Sequence, residues 1–415
     1  MHNVDNESSR FYYGWIVVAA AFLATMMAYG ITYSFSVFLK SLYSDFGWTR
    51  AVTAGAFSAY AISHNLFAPF SGWMTDRYGP RIVVATGGVC LSCSMILMSS
   101  ITTLWEFYLY FVFFLGWGVT ASYTPVIATV SRWFTSKRGL AISLGVAGIG
   151  TGSLVLSPLS AWLISSFGWR TAYVIVGAIT FTVFVPIVVF IKKSPLESYK
   201  TASQASSKTM KFTADFSFVD AFKTSSLWFL SCSWLFAALS LMSIMIHIVP
   251  LLTDSGIHLT TAGLLAGLAG GGSIIGRISA GFLSDKLGRK QVVLVAYMCQ
   301  TAMLVWLLFS EEIWMFFVFA PLFGISFGGS AGILPAFAAD YFGLKATGSI
   351  FGFVMIMAGT GAAAGSFIGG YIFDITHSYD NMIMMCILSM LLAIGLASFM
   401  KKPTLRLAKQ MPDNA

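Results

Sequence analysis

Gly270-Gly271-Gly272-Ser273-Ile274-Ile275-Gly276-Arg277-Ile278-Ser279-Ala280-Gly281-Phe282-Leu283-Ser284-Asp285 decides how this chain is read. It is an apolar, glycine-rich helix with one cation inside it, followed by Lys286-Leu287-Gly288-Arg289-Lys290. Arg277 lies eight residues before Asp285, so it sits roughly 12 Å inside the helix end at about 1.5 Å per residue. A guanidinium at that depth in a membrane costs about 3 kcal/mol on insertion scales, and it is normally found facing a water-filled cavity or a partner. Its fork of donors matches a carboxylate. The competing reading is a long side chain that snorkels to the headgroups. The surrounding glycines, which pack this helix inside a bundle, favour a functional cation.

Composition supports the membrane reading. Of 415 residues, 57% are hydrophobic and 10% charged, with a mean hydropathy of +0.80. Such a chain is a polytopic membrane protein and not a soluble domain. The net charge of +8 resides in loops on one side and points to membrane topology, not to nucleic acid. The five cysteines all fall in apolar segments, which implies neither a disulfide framework nor a metal site. Cys90 and Cys93 form a C-x-x-C with no second pair to complete a ligand set. The first apolar segment, from Tyr13, is too long for a signal-peptide core and is expected to remain as a helix.

Windows of about 20 apolar residues predict twelve spans, at 13–37, 51–74, 80–101, 104–130, 139–165, 170–191, 226–251, 260–284, 291–309, 312–338, 347–373 and 380–400. The fold class is therefore all-α, with an N-terminal six-helix half over 1–191, a linker over 192–225, a C-terminal half over 226–400 and a tail over 401–415. Of the 24 Lys and Arg residues, only Lys40, Arg50 and Arg170 fall in loops on the far side, and Arg277 lies within a span. The positive-inside rule then makes the termini and the linker cytoplasmic. The two halves also repeat a loop: Gly72-Trp73-Met74-Thr75-Asp76-Arg77-Tyr78-Gly79 matches Gly281-Phe282-Leu283-Ser284-Asp285-Lys286-Leu287-Gly288 at the same ordinal position. In each, the first glycine permits close helix contact, the aspartate caps or pairs, and the second glycine turns a short loop.

Twelve spans in two halves with these paired loops resemble the major facilitator superfamily over essentially the whole chain. The resemblance implies that Asp76, Arg77, Asp285 and Lys286 form gate contacts at the cytoplasmic side. Helix capping and topogenic charge are the plainer roles for the same residues. Further features are Tyr13-Gly14-Trp15, the loop Arg132-Trp133-Phe134-Thr135-Ser136-Lys137-Arg138-Gly139, Phe167-Gly168-Trp169-Arg170, His247-Ile248-Val249-Pro250 and Gly276-Arg277. Together they are similar to the monocarboxylate porter and oxalate/formate antiporter branch.

In that branch the span-eight arginine holds the substrate carboxylate, which assigns this role to Arg277. Ser273, one turn earlier on the same face, is a candidate support, although serine in a membrane helix often bonds its own backbone. The branch also shares a span-seven histidine. His247 is thus the candidate for substrate contact and proton coupling, since imidazole titrates near neutral pH; a helix-end histidine bonded to a carbonyl freed by Pro250 is the alternative. Tyr29, Tyr33 and Tyr123 offer an apolar wall with hydroxyls for a small acid, with Tyr60, His64 and Asn65 as further polar residues in span two. This chain departs from animal members of the branch, which carry an aspartate where Ser273 stands and a span-one lysine where Tyr33 stands. Oxalate exchangers use a second cation in span eleven, and Phe351 to Phe373 contains none.

The expectation is a secondary transporter of the inner (plasma) membrane, without cofactor, carrying a small carboxylate such as lactate, pyruvate or acetate with protons and acting as a monomer. An organic-anion exchanger and a non-transporting sensor on the same fold are the alternatives. An enzyme would need paired acids, a metal set or an activated nucleophile, and no such constellation is present; nor is there a P-loop for ATP.

Overall fold

The computed structural model describes residues 13–134, 138–192, 216–343 and 347–402. Most of the linker and of the tail expected above therefore lies outside the described residues, as do Thr135–Lys137 of the fourth loop. The described residues form twelve long helices: α1 Gly14–Phe46, α2 Arg50–Tyr78, α3 Pro80–Met98, α4 Leu104–Trp133, α5 Arg138–Phe167, α6 Trp169–Phe190, α7 Ser225–Asp254, α8 Leu259–Leu287, α9 Arg289–Leu308, α10 Ile313–Phe342, α11 Thr347–Thr376 and α12 Asp380–Phe399. No strand occurs among them.

Eleven of these helices are long and apolar enough to cross a membrane. The exception is α2. Its 29 residues span about 43 Å, but Ser58, Ser63, His64, Asn65 and Ser71 dilute its apolar character. Those polar residues share the helix with an exposed apolar set, Ile62, Leu66, Phe70 and Trp73, and α2 packs against α11, α4 and α3. Helix α4 contains a π-helical turn at Tyr110–Leu115, a local widening found often near functional sites.

Helices α1–α6 and α7–α12 gather largely separate hydrophobic cores. The repeated loop is a structural repeat as well. Gly79 and Gly288 both have φ +88° with extended ψ, a conformation open essentially to glycine alone. Gly79 N donates to the Thr75 carbonyl at 2.9 Å and Gly288 N to the Ser284 carbonyl at 3.1 Å, so equivalent residues close both helices in the same way.

The halves meet along two seams, α2 with α11 and α5 with α8, and along α1 with α7. At the face opposite the termini, a Cβ on Gly370 would lie 2.8 Å from the Ala51 backbone, and one on Gly263 would overlap Ala161. Contact continues to mid-depth, where Gly359 abuts Asn65 and Gly150 abuts Gly270 and Ile274. Ser58 crosses the first seam to donate to the Ala363 carbonyl at 2.6 Å. Towards the terminus-bearing face both seams end. Gly72 and Gly352 continue the packed faces of α2 and α11, and Gly281 continues that of α8, yet none has another atom within 4 Å of its would-be Cβ. The molecule is closed at the far face and parted at the face that carries its termini.

Candidate functional site

Arg277 sits where the seams part. It lies 18 residues from the start of α8 and 10 from its end, about 27 Å and 15 Å respectively. The helix is held by glycines on its other side: a Cβ on Gly276 would overlap the Ile325 carbonyl of α10, and one on Gly332 would lie 3.3 Å from the Arg277 stem. With its stem against α10, the guanidinium reaches towards the N-terminal half. It lies within electrostatic range of the Tyr29, Tyr33 and Tyr123 hydroxyls. The Tyr29 ring meets Tyr123 edge-on with centroids 5.4 Å apart and Tyr33 at 6.4 Å. Arg277 Nη1 is buried with no hydrogen-bond partner. A buried guanidinium donor without an acceptor is costly, and an anion of suitable size removes that cost.

Four of the candidate residues thus come together: Arg277 from one half and Tyr29, Tyr33 and Tyr123 from the other. Ser273 is buried in the α5–α8 seam, where its hydroxyl donates to the Gly270 carbonyl at 2.7 Å. It packs against Gly150 and is committed to its own backbone. His247 lies seven residues from the end of α7, about 10 Å below the far face, and so well above the depth of Arg277. It is fully buried, and its Nε2 contacts the Ser366 carbonyl at 3.0 Å. Its neighbours are Tyr379, with centroids 6.2 Å apart, and the charges of Arg50 and Asp374.

Among the described side chains, the contacts of the gate-loop residues Asp76 and Arg77 stay within the N-terminal half. Asp76 pairs with Arg132 at 3.1 Å within the N-terminal half. Arg77 lies 5.5 Å from the centroids of Trp73 and Tyr78, and Lys286 is exposed. The side chain of Asp285 lies outside the described residues.

What sequence reading missed is a latch at the far face. Asp254 at the end of α7 accepts from Lys40 of α1 at 2.9 Å and from Arg50 of α2 at 2.6 Å. Arg50 also covers the Phe373 ring at 3.5 Å and donates to the Tyr379 hydroxyl. Burial raises the Tyr379 phenol above its ordinary pKa, so it meets Arg50 as a neutral acceptor. Asp374 of α11 accepts from the backbone N–H groups of Arg50 at 3.0 Å and Ala51 at 2.8 Å, capping α2 from the opposite half. The signal available in the sequence was scarcity: Lys40 and Arg50 are two of the three cations on that side, and Asp254 and Asp374 end apolar spans on the same side.

The family model of the major facilitator superfamily matches residues 21–300 and 230–411. The chain belongs to the major facilitator superfamily. Among its relatives, an uncharacterized MFS-type transporter, YcxA, of Bacillus subtilis (strain 168) is 27% identical over 90% of this chain and 91% of its own length. Human monocarboxylate transporter 12 is 26% identical over 93% and 80%, and rat monocarboxylate transporter 13 is 26% identical over 88% and 84%. Among solved structures, a bacterial homolog of the human lysosomal transporter Spinster, inward-facing and occupied, superposes with a TM-score of 0.73 over 94% of this chain and 97% of its own, at 14% identity. The unoccupied form gives 0.67 over 95% of both chains, at 15% identity. This member of the superfamily is a multi-pass membrane transporter of small molecules and not an enzyme.

Proposed function

We propose that the chain carries a small monocarboxylate, of the lactate, pyruvate or acetate type, together with a proton across the inner (plasma) membrane by alternating access, acting as a monomer with both termini cytoplasmic. The observation that carries this reading is the buried, unpartnered Arg277 Nη1 facing three tyrosines across the division between the halves. A guanidinium binds one carboxylate through two parallel hydrogen bonds. The tyrosines present an apolar wall with hydroxyls for a short acid. A single cation suits one carboxylate better than two. Relatives named as monocarboxylate transporters support the same class of cargo.

In this reading the described conformation opens to the cytoplasm and is held by the Arg50–Asp254–Asp374 latch. When the terminus-bearing face closes, Gly72, Gly281 and Gly352 let the seams zip, and Asp76, Arg77, Asp285 and Lys286 become the contacts of the opposite gate. His247, beneath the latch, would respond to gate opening more directly than to the bound carboxylate.

The test uses purified protein in liposomes with labelled lactate, with and without an inward proton gradient, beside a folded Arg277→Ala variant. Gradient-stimulated uptake that the variant loses is expected. Full uptake by the variant removes Arg277 from the site, and uptake indifferent to the gradient removes the proton.

A further inference from the structure

Two histidines lie inside the helical bundle, and they differ in hydrogen bonding and in burial. His247 Nε2 faces the Ser366 carbonyl, and a carbonyl only accepts, so Nε2 carries the hydrogen. The bare nitrogen is then Nδ1, which is sealed from solvent and has no partner. His64 is arranged the other way. Its Nδ1 lies 2.7 Å from Thr120 Oγ1, a hydroxyl that is also within hydrogen-bond reach of two carbonyls, Gly116 at 2.8 Å and His64 itself at 3.2 Å. In the tautomer in which Thr120 keeps its hydrogen on the Gly116 carbonyl and accepts from the ring, Nδ1 carries the hydrogen and Nε2 is the bare base. No partner occupies His64 Nε2 among the described residues. His64 is half-buried, whereas His247 is fully buried, which makes the His64 ring the more accessible of the two.

His64 also adjoins the cluster described above. Its ring stacks on Tyr60 with centroids 5.9 Å apart and planes 13° apart, and Tyr60 lies in electrostatic range of Tyr29 and Tyr33. The titratable group set against its ring is Tyr60 of α2, and Tyr29 and Tyr33 on α1 lie beyond Tyr60, with Tyr123 on α4 and Arg277 on α8 beyond Tyr29. From α11, Phe351 to Phe373 contains no acid or base other than Tyr371.

We propose that His64 is the proton-accepting residue of the transport cycle, with Nε2 as the base that loads and releases the co-transported proton. This rests on the reading of the chain as a proton-coupled monocarboxylate carrier. Hydronium gives its proton to Nε2, forming imidazolium and water, while the carboxylate settles on Arg277. After the halves reverse, the Nε2–H returns the proton to water on the other side and the carboxylate leaves. The bundle then carries the same net charge empty (guanidinium and neutral imidazole) as loaded (guanidinium, carboxylate and imidazolium). Arg277 itself cannot perform this exchange because it stays protonated.

Two measurements test the proposal. In the first, diethyl pyrocarbonate, which acylates bare imidazole nitrogens that solvent reaches, is applied to the intact protein and its sites are mapped by mass spectrometry. His64 should be modified, more slowly in the presence of lactate, and His247 should not; an unmodified His64 in folded protein overturns the proposal. In the second, proteoliposomes of wild type, His64→Gln and His247→Gln are compared for proton-driven lactate accumulation and for lactate–lactate exchange. The ratio of accumulation to exchange should fall at least tenfold in His64→Gln, whereas a merely structural role lowers both together. An unchanged ratio in His64→Gln, or a fall confined to His247→Gln, overturns the proposal. Wild type that moves lactate in neither mode while His64 is modified refutes the carrier reading itself, and active wild type with an unreactive His64 refutes only the assignment of the base.

Discussion

Asp374→Ala is expected to reopen the far face. In the closed latch the carboxylate accepts from the first two N–H groups of α2, at 3.0 Å and 2.8 Å. Thr49, the N-cap within the chain, satisfies only Val52 N, at 3.2 Å. Removing a helix cap costs about 1 kcal/mol, up to about 2, and charge-assisted bonds lie at the upper end. Asp374 and α2 belong to different halves, so this loss falls on the closed-far-face conformation alone. About 2 kcal/mol converts to a shift of roughly thirtyfold between conformations, at 1.4 kcal/mol per tenfold. The assay is electron–electron distance measurement on spin labels, in a background lacking the five native cysteines. One pair sits at Ser44 and Ser255, which are exposed at the far ends of α1 and α7. The other sits at Gly72 and Gly352, where added side chains meet nothing within 4 Å. Asp374→Ala should lengthen the first distance and shorten the second in a larger fraction of molecules. Unchanged distributions in a variant that melts like the parent would refute the claim that this carboxylate holds the halves together.

Other substitutions separate packing, binding and movement. Gly276→Ala drives a methyl into the Ile325 carbonyl within one half and should cost about 1–3 kcal/mol as overpacking, read as a lowered melting temperature. Gly281→Ala meets nothing within 4 Å; it should leave melting unchanged and slow labelled-lactate uptake severalfold, because its face must pack when the terminus-bearing side closes. Arg277→Lys keeps the charge but loses the planar fork, and uptake should fall about tenfold or more. A Tyr29→Phe, Tyr123→Phe double variant should lower turnover in the uptake assay more than it lowers lactate affinity measured by calorimetry.

The fold was legible because it is written in redundant signals. Long apolar windows, the one-sided charge of the loops and the paired G-x-x-[ST]-D-[RK]-x-G loops all pointed to two six-helix halves. Helix α2 was read as a span at 51–74 although Ser58, Ser63, His64, Asn65 and Ser71 make it the least apolar of the twelve. Arg277 stood out in the sequence from the cost of burying it and Tyr29 and Tyr33 from their spacing, whereas Tyr123 had only its place in span four. Ser273 and His247 show where one-dimensional reading stops. Helical periodicity placed Ser273 on the Arg277 face, but its hydroxyl bends to the Gly270 carbonyl; the span-seven position of His247 gave no depth relative to Arg277. The latch joins residues more than 200 positions apart, as Lys40 with Asp254 and Arg50 with Asp374, and no local pattern encodes such a pairing.

The division of the site between the halves bears on why cargo and movement are coupled. A ligand held by one half alone binds equally well in both conformations and shifts nothing. Here the cation belongs to α8, while the hydroxyls belong to α1 and α4. A carboxylate on Arg277 that also accepts from Tyr29 and Tyr123 gains its second set of contacts only as the halves draw together around it. Two charge-assisted bonds at about 1.5 kcal/mol each and two hydroxyl bonds at about 1 kcal/mol each total about 5 kcal/mol, of which only the part that differs between conformations shifts their balance. The guanidinium bonds exist in either conformation, so the hydroxyl share is the part that differs between them. It is comparable to the roughly 2 kcal/mol assigned to the Asp374 cap. Contacts of that size, set against each other at opposite ends of the same seams, leave the empty carrier resting on its latch and the loaded carrier near balance. On the proposed function, the tyrosines accordingly act in the step that turns the molecule, and Arg277 in the step that fills it.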